Sequence, residues 1–178
     1  KIALMSAMAF GVPVMFDQAH VEGITKIEQA DIRYAEELGY RLKLLGITKR
    51  RPNGIELRVH PALVPANRLL ANVEGVMNAV VVQGDAVGET LYYGAGAGSQ
   101  PTASAVIADL VDVARLITAD PEHRVPHLAF QPDQLADTPV LPIDDVTTAY
   151  YLRLRVADRP GVLAEVTGIL ADEQISID

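Results

Sequence analysis

Tyr92-Tyr-Gly-Ala-Gly-Ala-Gly-Ser-Gln-Pro-Thr-Ala-Ser-Ala-Val106 joins an apolar strand to a long apolar-periodic helix through three alternating glycines. Glycine tolerates positive φ and lets a backbone or a ligand come close. A helix that starts there directs unpaired N–H groups and the positive end of its dipole into the gap. Strand, glycine turn and helix start together suit an anionic or polar cofactor, and equally suit a tight turn between packed elements. What lies on either side decides between the two.

Upstream, residues 1–10 are helical in pattern, with Ile2, Leu4, Met5, Met8 and Ala9 on one broad apolar face, ended by Gly11 and Pro13. Residues 12–23 read as loop. A second helix is expected over 24–38, with Ile27, Ala30, Asp31, Tyr34, Ala35 and Leu38 at helical spacing and Gly39 as its stop. The period then changes to two. Residues 40–48 and 54–60 read as a hairpin that turns at 50–54, and Pro61 and Pro65 bracket an extended connection. A short helix is expected at 68–71. The β-branched run 76–83 reads as a central strand, and 89–93 returns into the glycine segment. The helix after the glycines is expected over 102–118, capped by Ser99 or Thr102, with Ala103, Val106, Ile107, Leu110, Val113, Ala114 and Ile117 as a buried stripe. Two helices, a run of strands and a helix make an α+β fold, with helices covering one face of a mixed, largely antiparallel sheet. The alternation of a dinucleotide-binding domain is not present.

Residues 120–147 are proline- and aspartate-rich with little periodicity, and read as an interdomain linker. Residues 150–156 then alternate as a strand, Asp158-Arg-Pro-Gly-Val-Leu163 follows, a helix is expected over 161–172, and a new strand begins at 175. Both ends read as interrupted patterns, as in a piece of a longer protein.

The bulk properties narrow the function. The chain has 178 residues, 49% hydrophobic and 21% charged, enough for a sizeable core. A net charge of −8 leaves no large basic face, which argues against a nucleic-acid partner. No apolar run reaches membrane-spanning length. The absence of cysteine excludes disulfides and cysteine-ligated metals, and fits a reducing, cytoplasmic setting. His123 and His127 have i, i+4 spacing, but Pro121 and Pro126 argue against the helix a zinc pair needs, so no metal site is expected. His20 and His60 are isolated. Asp85 reads as a turn former, Glu22 carries no assignable chemistry, and Lys49-Arg-Arg51 reads as a solvated turn. No Ser-His-Asp arrangement is present.

The Asp158-Arg-Pro-Gly-Val-Leu163 segment after an alternating strand resembles the opening of an ACT domain, a ferredoxin-like regulatory module that binds amino acids. The resemblance covers residues 148–178, the first half of such a module. It implies Asp158, Gly161, Val162 and Leu163 as effector-binding positions and an amino acid such as threonine as effector.

The glycine segment can then be read in company. Val81-Val-Gln-Gly-Asp-Ala-Val-Gly-Glu89, Tyr93-Gly-Ala-Gly-Ala-Gly98, and Pro101-Thr-Ala-Ser-Ala-Val106 with Asp109 together resemble the catalytic domain of homoserine dehydrogenase. Val21-Glu-Gly-Ile24 leading to Asp31, the strand from Leu38-Gly-Tyr40 to Leu45, and residues 59–65 are similar to the same family. The resemblance spans residues 1–119 in order and spacing.

It implies NAD(P)-dependent interconversion of L-aspartate 4-semialdehyde and L-homoserine, on the route to threonine, methionine and isoleucine. It further implies a homodimer, and a cofactor, NADP or NAD, held mainly by an N-terminal Rossmann domain. Gly98 is the implied cofactor-contacting glycine. Lys1 stands where the family has its catalytic lysine, four residues after a substrate-binding aspartate. The competing expectation is an amino-acid-sensing module with no activity of its own, supported by the Asp158–Gly161 segment.

Overall fold

The computed structural model describes residues 1–120, 124, 126 and 129–177. They divide into two units, Lys1–Thr148 and Ala149–Asp178.

The first unit is built on a long hairpin. Strand β2 (Tyr40–Arg51) pairs antiparallel with β3 (Gly54–Pro65) over its full length, from Tyr40 opposite Pro65 to Arg51 opposite Gly54. The short β1 (His20–Val21) adds in parallel on the other edge of β3. The strand β3 therefore runs through Pro61 and Pro65, which the sequence assigned to a connection. The reason lies in strand parity. Ile55 sends its N–H away from β2, to the carbonyl of Pro139 at 2.9 Å. Pro61 and Pro65 share that parity, so their missing N–H groups also face away from β2 and cost no ladder bond.

Helix α1 (Ile2–Phe10) lies on one face of this sheet. Thr48 donates to Ser6 at 3.0 Å, and Gly46 lies under Ile2. Because the approach is close, the buried side of α1 carries the small residues Ala3, Ser6 and Ala7, while Leu4 and Met8 are half exposed. The expected large-residue face is thus turned partly outward. Ile55 and Leu57 project from β3 to the same side and form the core with Ala7 and Val12. Helix α2 (Gln29–Glu37) packs near β2. It starts five residues later than its periodicity indicates, because the N–H of Glu28 is capped by the Asp31 carboxylate at 2.9 Å and fixes the first turn there. Asp31 and Ala35 are buried, whereas Leu38 is exposed. A 3₁₀ turn, Leu69–Asn72, replaces the expected short helix and buries Ala71.

A second hairpin, β4 (Met77–Gly84) with β5 (Gly88–Ala95), forms its own two-stranded sheet. The run at 76–83 is therefore not a central strand among the described residues: apolar composition marks burial potential, and β4 pairs there with β5 alone. Helix α3 (Ser99–Ile117) follows the glycines, and none of its residues is buried. Val106, Ile107, Leu110, Val113 and Ile117 are all more than half exposed, so the expected buried stripe exists as a stripe but is uncovered.

In the second unit, α4 (Val162–Asp172) forms as expected. Residues 150–156 and 175–177, expected as strands, belong to neither sheet. A strand is completed by its neighbour. The whole is α+β, mixed in strand direction and largely antiparallel, but distributed over two small sheets.

Candidate functional site

Two of the positions singled out in the sequence share one structural feature. Gly98 is the N-cap of α3 and Gly161 of α4, and no side chain caps either helix. Each helix start therefore presents unpaired N–H groups, with the positive end of its dipole, toward whatever approaches. Lys1 is exposed, and its carbonyl accepts the N–H of Met5 at 3.1 Å.

The three glycines of residues 94–98 have different jobs. Gly94 is an ordinary member of β5, opposite Asn78. Gly96 makes room for the same asparagine, since a Cβ there would lie 2.9 Å from Asn78 Nδ2. Gly98 has φ +127° and ψ 160°, a region open only to glycine. Its carbonyl accepts the N–H of Thr102 at 3.1 Å, so the cap is Gly98 backbone and neither Ser99 nor Thr102 supplies a side-chain cap. A bare, exposed backbone at a helix start fits the close approach of a dinucleotide.

In the second unit Asp158, Val162 and Leu163 line one cavity of about 410 Å³, with Leu154, Val156 and Arg159. Gly161, at φ +91°, makes the turn that brings the helix start to it. Arg159 escaped notice in the sequence. It lines the cavity, and its guanidinium pairs with Glu165 at 3.2 Å. The lining is otherwise mostly apolar, with Asp158 as its acidic member.

A charged row on the face of β3 opposite α1 was also unseen. Glu56 and Arg58 are buried, and Arg58 donates to Glu56 at 3.2 Å and to His60 Nε2 at 2.6 Å. Arginine cannot accept, so Nε2 is the acceptor and the His60 proton sits on Nδ1, facing the Pro61 carbonyl at 2.7 Å. Arg51 closes the row on Glu56, and Arg50 donates to the Phe10 carbonyl at 2.8 Å, so two members of the basic turn are engaged rather than merely solvated. Burial pushes the Glu56 carboxyl upward, but the hydrogen bonds and charges of Arg51 and Arg58 outweigh it and hold the group below its ordinary value. Neither Lys1 nor Gly98 takes part in the row.

His123 and His127 lie outside the described residues. Among the described residues no cluster of three or more His, Asp or Glu forms a metal cradle, and no helix is long and apolar enough to cross a membrane.

The sequence model of the homoserine dehydrogenase family matches residues 1–111, and that of the ACT domain matches residues 150–178. The homoserine dehydrogenases of Pseudomonas aeruginosa and Neisseria gonorrhoeae are each 60% identical over 178 residues, all of this chain and 41% of each relative. The crystal structure of a homoserine dehydrogenase from Thiobacillus denitrificans is 71% identical, with a TM-score of 0.94, again over the whole of this chain and 41% of that one. The chain thus spans about two fifths of the length of these relatives. By sequence, by the order of its parts and by fold, the chain belongs to the homoserine dehydrogenase family, continued at its C-terminal side by the opening of an ACT domain.

Proposed function

We propose that this chain is the catalytic and sensing portion of an enzyme that interconverts L-aspartate 4-semialdehyde and L-homoserine. The observation that carries the proposal is the family match over residues 1–111, which includes Lys1, the residue to which the sequence resemblance assigns the role of the family's catalytic lysine. Reduction of the aldehyde puts a hydride on carbon and a proton on oxygen. A nicotinamide dinucleotide, NADP or NAD, supplies the hydride when bound. Lys1 Nζ holds the proton that goes to the aldehyde oxygen, and takes it back in the reverse direction. Gly98 lets the dinucleotide approach α3, and the bulk of the nucleotide site belongs to another part of the protein.

Residues 1–119 form the catalytic and dimerising domain in this reading, residues 120–147 the connection, and residues 148–178 the start of the regulatory domain. Asp158, Gly161, Val162 and Leu163 bind an amino-acid effector such as threonine, and the cavity beside α4 supports that assignment. The open faces of β4–β5 and α3 support a homodimer. A cytoplasmic, biosynthetic setting fits a chain without cysteine. The competing possibility, a sensor without activity, draws on the same cavity and predicts amino-acid binding with no turnover.

The test is Lys1→Ala in the complete protein. It should lower kcat by about a hundred- to ten-thousandfold with unchanged thermal unfolding. Near-normal turnover would remove Lys1 from the mechanism.

A further inference from the structure

The C-terminal end of α1 is clamped from two sides. From β2, Arg50 donates to the Phe10 carbonyl at 2.8 Å, and its guanidinium lies over the Phe10 ring at 5.1 Å. From the segment after α3, the N–H of Ala136 donates to the Gly11 carbonyl at 2.7 Å. The Phe130 ring lies against the same glycine, so closely that a Cβ there would sit 3.0 Å from two ring atoms. Carbonyls at the end of a helix have no partner within it, so both bonds satisfy groups that α1 leaves open. The segment is itself fastened to the sheet. Ile55 of β3 donates its N–H to Pro139 and accepts from Leu141, both at 2.9 Å, around a parallel bridge to Val140. Gly54 leaves the room this needs, since a Cβ there would fall 2.6 Å from the Pro139 carbonyl.

Along the rest of its length α1 touches β2 in step: Ile2 over Gly46, Ser6 with Thr48, Phe10 with Arg50. Four helical residues advance about 6 Å and two strand residues about 7 Å, so the two elements run side by side in one direction. A glycine and a hydroxyl pair hold the helix down on the strand but offer little against sliding along it. The position along the strand is set at the far end, by the clamp on Phe10 and Gly11.

We propose that Phe130 and Arg50 are positioning residues for Lys1: by fixing the C-terminal end of α1 along β2 they set where the lysine stands. The proposal rests on the functional reading above for the role of Lys1. The carbonyl of Lys1 accepts the N–H of Met5, which ties the residue to the first turn of α1. Gly11 lies ten residues further on, about 15 Å at helical rise, and a helix of this length is stiff along its axis. A displacement at Gly11 therefore reaches Lys1, and a proton delivered over hydrogen-bond distance tolerates little of it. Composition assigns Phe130 to a linker and Arg50 to a solvated turn, yet both converge on one helix end.

The experiment uses the complete protein and compares Phe130→Ala, Lys1→Ala and the two together with the parent, for kcat, dinucleotide KM and thermal unfolding. Phe130→Ala should lower kcat by about tenfold or more when Lys1 is present, with the dinucleotide KM within about twofold. It should lower kcat by less than about twofold when Lys1 is already alanine, because a residue that acts through the lysine then has nothing to place. Phe130→Tyr, which keeps the ring, should restore kcat to within about threefold of the parent. Arg50→Met keeps the length, removes the donor, and acts on the same helix end from the opposite side. It should show the same dependence on Lys1, and it decides the matter where Phe130→Ala fails to fold. Equal losses with and without Lys1 would overturn the proposal and leave both residues a purely structural part, as would parent-like kcat in both variants. Normal turnover in Lys1→Ala alone would sink the role of Lys1 itself, and the positioning with it.

Discussion

Arg58 donates to Glu56 at 3.2 Å from two residues further along the same strand, and both side chains are almost wholly withdrawn from water. Two charges have been desolvated on a face of β3 that does no chemistry in the proposed reaction. Breaking such a buried pair by removing one partner leaves an uncompensated charge.

Glu56→Gln should therefore destabilise the protein by about 3 kcal/mol at neutral pH. The sign of the pH dependence follows from the lowered carboxyl of Glu56, held down by Arg51 and Arg58 against the opposing effect of burial. A group whose folded value is depressed contributes stability above its unfolded value, about 4.3 for glutamate. That contribution is lost as pH falls through the folded value. The stability gap between parent and Glu56→Gln should then be full at pH 7 and narrow steadily below about pH 4. Thermal unfolding of both proteins across that range checks it, and a gap that stays constant contradicts the assignment.

Gly98→Ala separates backbone strain from cofactor approach. At φ +127° and ψ 160° an alanine costs about 1–3 kcal/mol in dihedral strain. Steric clash adds little, because the nearest atom to the new Cβ is Pro101 Cδ at 3.4 Å. Gly39→Ala is the control: it also has positive φ, +80°, with nothing within 4 Å of a Cβ. Both variants should lose stability, but only Gly98→Ala should raise the KM for the dinucleotide, by roughly tenfold or more. Equal KM values in the two variants would return Gly98 to a purely conformational role.

What the sequence disclosed and what it hid divide along physical lines. Periodicity located α1, α3, α4 and both hairpins, because spacing of apolar residues is a local property. It could not say that the stripe from Val106 to Ile117 would be uncovered, since periodicity marks a face and not its partner. Pro61 and Pro65 were misjudged because the damage a proline does to a sheet depends on which way its nitrogen faces, and that is a matter of register. The Glu56, Arg58, His60 row is an alternating polar pattern that ordinarily means solvent, and only the packing above it reveals burial. Residues 136–141 escaped for a similar reason: their surroundings signal a linker, while their contacts involve the backbone of Gly11 and Ile55, which no side-chain pattern advertises. Of the candidate site, the glycine turn and the Asp158–Gly161 turn were legible from residue chemistry. The role of Lys1 came from the family likeness, and Arg159 at the same cavity was read only as part of a turn.

Gly46 provides a way to move Lys1 without touching it. This residue of β2 faces α1, and a Cβ added there would lie 3.1 Å from Ile2 Cβ and 3.4 Å from its Cγ1. Ile2 is the first residue of α1 and the neighbour of Lys1. Gly46→Ala should force the helix start outward by a few tenths of an ångström, at an overpacking cost of about 1–2 kcal/mol. Because the proton at Nζ must be delivered over hydrogen-bond distance, kcat should fall by about ten- to a hundredfold while the KM for the dinucleotide stays within twofold. Gly23→Ala, with open space around its Cβ, should change neither quantity. The hydrogen bond from Thr48 to Ser6 anchors the middle of α1 and should confine the displacement to the first turn. Exchange protection should accordingly drop at Met5, whose N–H donates to the Lys1 carbonyl, and hold at 6–10. A stability loss with unchanged kcat would mean that turnover does not depend on the placement of this helix start.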